Sequence, residues 1–210
     1  MKADVDSVHF YEVAQGHGLP HDPFKAIVAP RPIGWISTLG LNGVPNLAPY
    51  SFFNAVGDAP PMIAFSSSGR KDSLTNAEAT REFVWNMATR PLAEQMNQSS
   101  APVAADVDEF RLAGLAAAPS RLVASPRVAE SPASLECRVV QIMQLHDLDG
   151  AAIDQWLVIG QVVAVHIRAE YLSDGLFDTA AAHPIMRAGY RADYAEVTPD
   201  AMFRMIRPAA

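Results

Sequence analysis

Residues Ala29 to Asn54 read A-P-R-P-I-G-W-I-S-T-L-G-L-N-G-V-P-N-L-A-P-Y-S-F-F-N, and after a Pro60-Pro61 break, Met62 to Ser73 read M-I-A-F-S-S-S-G-R-K-D-S. Ile33 to Leu39 is an apolar run that closes on Ser37 and Thr38. Asn42-Gly43 is a hairpin signal, because both residue types tolerate positive φ. Val44 to Phe53 is the expected return strand, interrupted by Pro45 and Pro49. A proline removes a ladder donor, so such a strand belongs at a sheet edge or a bulge. Met62 to Phe65 is a third apolar run, and it ends in a polar turn with adjacent cations, Arg70 and Lys71. The pattern predicts a β-meander whose loops offer backbone N–H groups and hydroxyls to a polyanionic ligand.

Outward from this stretch, the remaining chain is also strand-rich. Phe24 to Ala29 reads as a strand, followed by an extended passage through Pro30 and Pro32. Thr75-x-x-Glu78 is a candidate capping box, with Asp72 and Ser73 as alternative N-caps, and a short helix to about Thr80 follows. Phe83 to Met87 reads as a strand. Arg90 to Ser99 reads as a helix with Pro91 in its first turn. Residues 100–134, rich in Ala, Pro and Ser, read as a loop excursion with a short helix near Asp108 to Leu112 and a strand near Arg127 to Glu130. Leu135 to Leu145 and Trp156 to Ile167 are the two longest strands, rich in β-branched residues and joined by the Asp147-x-Asp149-Gly150 turn. Strands without alternating helices point to a mainly β barrel with a few helices, Greek-key-like, rather than a doubly wound sheet.

Composition narrows the function classes. The chain has 210 residues, 50% hydrophobic and 19% charged, so one folded domain with a real core is expected. A net charge of −7 argues against nucleic acid as a main partner. Cys137 is the single cysteine, which excludes an internal disulfide or a Cys-x-x-Cys pair. Met1 to Phe10 is polar and acidic without an apolar stretch, and no run approaches a membrane span, so a cytoplasmic protein is expected. His9, His17 and His21 have no common metal spacing, and no metal site is expected. His166, in an apolar strand, is expected to be a satisfied core or interface histidine. The dinucleotide motif G-x-G-x-x-G, the P-loop, H-E-x-x-H and G-x-S-x-G are all missing.

The strongest candidate site is Ser66 to Asn76. Arg70 and Lys71 stand before a helix start, whose free N–H groups and dipole attract a phosphate. Ser67, Ser73 and Thr75 add hydroxyls. The bland alternative is a solvated turn with an N-cap.

R-P-I-G-W-I-S-T, N-x-A-P-Y-S-F-F-N and S-x-G-R-K-D-S together resemble the flavin reductase-like family with an FMN-binding split β-barrel, which includes flavoredoxins and reductase components of two-component monooxygenases. E-C-R-V-V-Q-I, I-G-Q-V-V-A-V-H-I and H-P-I-M-R-A-G-Y resemble it too, in the same order, so the likeness covers roughly residues 24 to 195. Residues 1–23 form a polar lead-in and 196–210 a C-terminal extension. The resemblance implies an oxidoreductase that binds FMN (FAD is the other flavin possible) and takes hydride from NAD(P)H. It implies phosphate contacts at Ser67, Arg70, Lys71 and Ser73. A slot for the ring is expected from backbone N–H groups around Asn46, Leu47, Ala48, Ser51 and Phe52, with Ser37 and Thr38 facing the same slot. Trp35 is either core filler or a ring near the flavin edge. Pro184, Ile185, Arg187 and Gly189 match the family's tail motif, while Ala188 and Tyr190 depart from it. Arg187 is expected to approach the flavin or the nicotinamide nucleotide. No side-chain acid or base is required, since the cofactor carries the chemistry. A homodimer is implied, with a monooxygenase component as a possible partner. A non-enzymatic FMN electron carrier of the flavoredoxin type is the alternative.

Overall fold

A computed structural model describes residues 8–208, so residues 1–7 of the lead-in and 209–210 of the extension lie outside it. In chain order the elements are α1 (Phe24–Ile27), β1 (Arg31–Pro32), β2 (Gly34–Leu39), β3 (Pro45–Tyr50), β4 (Phe53–Asp58), β5 (Pro61–Ser68), α2 (Asp72–Thr80), β6 (Glu82–Asn86), α3 (Ala93–Gln98), α4 (Glu109–Leu112), β7 (Ala117–Ala118), β8 (Arg127–Val128), β9 (Ala133–His146), β10 (Ala152–Ile167), β11 (Leu172–Ser173), β12 (Leu176–Phe177), β13 (Ile185–Arg187) and β14 (Tyr194–Glu196). Seven strands form one antiparallel sheet of order β3-β2-β6-β9-β10-β5-β4. A smaller sheet of order β1-β13-β14 lies beside it.

The Asn42-Gly43 hairpin forms as expected. Gly43 takes φ 80°, and its N–H closes on the Gly40 carbonyl. β3 is the sheet edge, as its prolines require. The N–H of Leu47 leaves the sheet for the Glu109 carboxylate at 3.0 Å. Pro45 and Pro49 share Leu47's parity, so the missing donors all fall on the free side of the strand.

Three expectations are corrected. The return strand does not run to Phe53, and the three apolar runs are not a simple meander. β3 ends at Tyr50, and Phe53 begins a new strand that pairs with β5 at the opposite edge of the sheet. The sheet curls so that the end of β3 approaches β5, where the Tyr50 and Phe65 rings lie 4.9 Å apart. A barrel seam brings together edges that no ladder joins, and sequence periodicity carries no signal for it. Phe24 to Ala29 is not a strand. Phe24–Ile27 is a helical turn whose first N–H is held by Asp22 Oδ1. At its other end the buried Arg31 guanidinium donates to the carbonyls of Lys25 and Val28. A side chain from outside the segment thus satisfies helix-end carbonyls.

β2 is buried on both faces. Trp35 joins Leu47, Met96, Phe110 and Val128 in one cluster, and Ile36 joins Phe65, Leu74, Phe83 and Val158 in the other. The long β9–β10 hairpin turns at Asp147–Gly150 and contributes Cys137 and Val158 to the second cluster. Burial pushes the Cys137 thiol well up, so it stays protonated.

Candidate functional site

A cleft of about 620 Å³ opens along the barrel seam. Its walls are the end of β3 with the Ser51-Phe52 link, the end of β5, the start of α2, and residues 99–103.

The start of α2 is built by Gly69, which turns the chain at φ 80°. Lys71 is the N-cap, in extended conformation and without a side-chain cap. The N–H groups of the first turn, Asp72 to Leu74, therefore have no partner within the helix. The expected capping box does not form. Thr75 lies inside the helix with its N–H on the Lys71 carbonyl at 3.0 Å, and Glu78 is taken by Arg70. Asp72 and Ser73 are first-turn residues, not caps.

The two cations differ. Arg70 forms an ion pair with Glu78 and lies over the Trp156 ring at 5.0 Å. Lys71 is exposed and has no ion-pair partner among the described residues. Asn46 Nδ2 donates to Ser73 Oγ at 2.8 Å, tying the edge strand to the helix start.

Strand alternation sorts the serines of β5. Ser66 and Ser68 line the cleft and share the Gln155 amide, at 2.5 and 2.7 Å. Ser67 is fully buried, and its hydroxyl braces the Gly69 carbonyl at 2.9 Å. Of the residues expected at the site, Asn46, Ala48, Ser51, Phe52, Arg70, Lys71 and Ser73 line this cleft. Ser37, Thr38, Leu47, Ser67 and Arg187 do not. Ser37 and Thr38 cannot both face one slot, since neighbouring strand residues point to opposite faces. Ser37 donates to the Pro126 carbonyl at 2.5 Å and accepts from Asn86, and Thr38 accepts from the side chains of Asn46 and Asn76. Both serve the framework behind the cleft. Leu47 buries its side chain in the core, and its N–H is already spent on Glu109. By the ladder's alternation, the Asn46 and Ala48 N–H groups turn toward β2 and away from the cleft. Trp35 is core, fully buried, with its indole N–H on Ser99 Oγ at 2.9 Å.

Arg187 lies in an adjoining cavity of about 440 Å³ with His21, Tyr190 and Arg191. Its guanidinium is over the Tyr194 ring at 4.8 Å and donates to the Arg191 carbonyl at 2.6 Å. Lys25 lines both this cavity and the main cleft. The histidines of the lead-in separate. His9 bonds the His17 carbonyl, while His21 packs near Tyr190.

Lys25, Tyr50 and Glu109 were not expected at the site, and all three line the cleft. Tyr50 is 7% exposed, and among the described residues its hydroxyl makes no hydrogen bond. Burial pushes its pKa up. Glu109 is 5% exposed, and burial likewise pushes its carboxyl up, against the N–H of Leu47. Tyr50 stands within the quoted motif, so its position was visible though its role was not. Lys25 was hidden by the strand reading, and Glu109 reaches the cleft only by tertiary packing.

A flavin mononucleotide is a phosphate on a flexible chain attached to a flat, mostly apolar ring. The cleft holds unpaired helix N–H groups and Lys71 at one end, and Ala48, Pro49, Phe52 and Pro102 along its walls. Its volume lies in the range of small-molecule sites. The residues present fit such a group.

The family model described as "Flavin reductase like domain" matches residues 28–185, and the chain belongs to that family. The fold is its split barrel, and the class is that of flavin-binding oxidoreductases. An uncharacterized protein of Deinococcus radiodurans is 34% identical over 202 residues, covering 90% of this chain and 86% of that one. The structure of nitrilotriacetate monooxygenase component B from Bacillus cereus superposes with a TM-score of 0.82 at 27% identity, covering 95% of this chain and all of that one (100%). That of 2-nitrobenzoate 2-nitroreductase from Pseudomonas fluorescens gives 0.77 at 27% identity, with 88% of each chain covered. Among the described residues no helix is long and apolar enough to cross a membrane.

Proposed function

We propose that this chain is an NAD(P)H-dependent flavin reductase with FMN as its flavin. The observation that carries the reading is the start of α2, uncapped and beside the unpaired Lys71, at one end of a seam cleft with apolar walls. A flavin held there would supply the hydride acceptor.

The chain's own residues position and shield. Lys71 and the N–H groups of Asp72 to Leu74 take the phosphate, with Ser73 held in place by Asn46. Arg70 contributes less charge, because Glu78 shares it. Phe52, Ala48 and Pro102 present apolar surface to the ring and exclude water from it. The buried Tyr50 hydroxyl offers a donor in the cleft wall, and the Glu109 carboxyl, pushed up by burial, lines the same cleft. Arg187, in the adjoining cavity, is placed to meet the incoming nicotinamide nucleotide, with Lys25 between the two spaces. The likeness to a monooxygenase component B supports delivery of reduced flavin to a partner oxygenase.

The test is the absorbance spectrum of the purified protein with FMN, followed by anaerobic NADH or NADPH. Rapid bleaching of the flavin is expected. A protein that purifies yellow and reacts only slowly with either nucleotide is instead an electron carrier, and one that does not bind FMN refutes both readings.

A further inference from the structure

The end of the β9–β10 hairpin remote from the cleft carries a second concentration of chemistry that flavin binding does not use. Ala133 pairs with Ile167 at this end, whereas the cleft end of β10 is marked by Gln155 opposite Ser68. A cavity of about 570 Å³ lies there, lined by Arg121, Arg127, Arg168, His166 and Ser131. Three arginines converge on one pocket of a chain whose net charge is −7.

The pocket is held by one residue. Glu136 on β9 is fully buried. Its carboxylate accepts the N–H groups of Arg121, Leu122 and Val123 at 2.8, 2.6 and 3.1 Å, and meets His166 Nε2 at 2.5 Å. Burial alone raises its pKa, but the N–H of Arg121, the imidazole and the N–H of Leu122 outweigh it and hold the group ionised. A buried carboxylate is costly unless all its lone pairs are satisfied. Here that cost fixes three successive peptides of the 121–123 loop and so sets the Arg121 backbone at the rim.

The cations around the pocket are under-neutralised. The Arg121 side chain has no acid within ion-pair distance among the described residues. Arg127 donates only to the Pro119 carbonyl, at 3.3 and 3.2 Å. Burial lowers the Arg127 pKa, Glu136 opposes it, and Arg121, which lines the same pocket, lowers it by less. Arg168 shares its charge with Glu170 at 3.0 Å. Juxtaposed guanidiniums repel one another, and an oxyanion between them relieves that repulsion. Their planar forks match the tetrahedral oxygens of a phosphoryl group.

We propose that this pocket is a second anion site, separate from the flavin cleft, that takes a phosphoryl group through Arg121 and Arg127 with His166 beside them. The ligand is inorganic phosphate or the phosphate of a small ester. The exposed Val165 and Ile167 at the rim offer apolar surface to an organic remainder.

The experiment is calorimetric titration of the full-length protein with inorganic phosphate, and separately with AMP, at constant ionic strength. Wild type, Arg121→Gln, Arg121→Lys and Lys71→Ala are compared. Arg121→Gln is the decisive variant, because that side chain makes no hydrogen bond within the described residues and its loss leaves the fold intact, as an unchanged melting temperature verifies. Saturable binding is expected in wild type and in Lys71→Ala, weakened about tenfold in Arg121→Gln and partly kept in Arg121→Lys. Tighter binding of AMP than of phosphate, with the same dependence on Arg121, identifies an ester as the ligand, and equal binding identifies free phosphate. Binding that Lys71→Ala abolishes and Arg121→Gln leaves unchanged belongs to the flavin cleft and overturns the proposal. So does the absence of saturable binding by either anion.

Discussion

At the scale of single residues, the two adjacent cations at the start of α2 have unequal roles despite their equal formal charge. Among the described residues Lys71 has no ion-pair partner, while Arg70 is committed to Glu78 and to the face of Trp156. A charge-assisted hydrogen bond contributes roughly 1.5–3 kcal/mol. Lys71→Ala is therefore expected to weaken FMN about tenfold or more, measured by fluorescence titration, and Arg70→Ala to weaken it less. Equal losses would show that Arg70 leaves Glu78 when the flavin binds. Arg187 lies outside the main cleft, so its removal has a different signature. Arg187→Ala is expected to raise the apparent KM for NAD(P)H with FMN affinity unchanged. Unaltered nucleotide kinetics would assign Arg187 to its own hairpin, where Tyr194 and the Arg191 carbonyl already hold it.

At the scale of elements, β9 and β10 carry the barrel wall, and two of their residues report on it. Gly160 packs under the Phe83 ring, and a Cβ there would meet Phe83 Cε1 at 2.4 Å. Overpacking a dense core costs about 1–3 kcal/mol, so Gly160→Ala is expected to lower the midpoint of thermal unfolding by several degrees. An unchanged midpoint would mean that the ring moves aside without cost. Glu136 joins β9 to the 121–123 loop, and its pKa is lowered in the fold. A carboxyl with a depressed folded value contributes stability that is complete above its unfolded value, about 4.3, and is lost as pH falls through the folded value. Chemical denaturation followed through that acid window is expected to show a loss of stability that Glu136→Gln diminishes. Parallel profiles for the two proteins would place the acid sensitivity elsewhere.

At the scale of the molecule, β4 is a sheet edge with almost every residue exposed, Val56 at 56% among them. Past β14, Phe203 and Ile206 are 80% and 91% exposed. A free edge and bare apolar residues call for cover, and we expect a homodimer that supplies it. Light scattering at micromolar concentration is expected to report twice the 22.6 kDa chain mass. A monomer mass would leave the cover to another partner.

What the sequence determined by itself was whatever depends on local periodicity and turn chemistry. The hairpin at Gly43, the proline edge of β3, the paired long strands around Asp147–Gly150 and the short helices at Arg90 and Asp108 were all readable, because each is set by side chains within a few residues. The resemblance carried by the quoted motifs extended that to the family and to the loop of Arg70 and Lys71, which lines the cleft. Tertiary structure alone decided which faces meet. Alternation allowed only one of Ser37 and Thr38 to face a given slot and turned both to the framework, as it turned Ser67 inward and Ser66 and Ser68 outward. The sheet order placed β3 and β4, neighbours in sequence, at opposite edges, and its curl brought the end of β3 to the end of β5 and the start of α2, where the cleft opens. Glu109 and Lys25 entered that cleft from segments with no motif. Contacts of this kind join residues whose separation in the chain has no period, so a single sequence holds no trace of them.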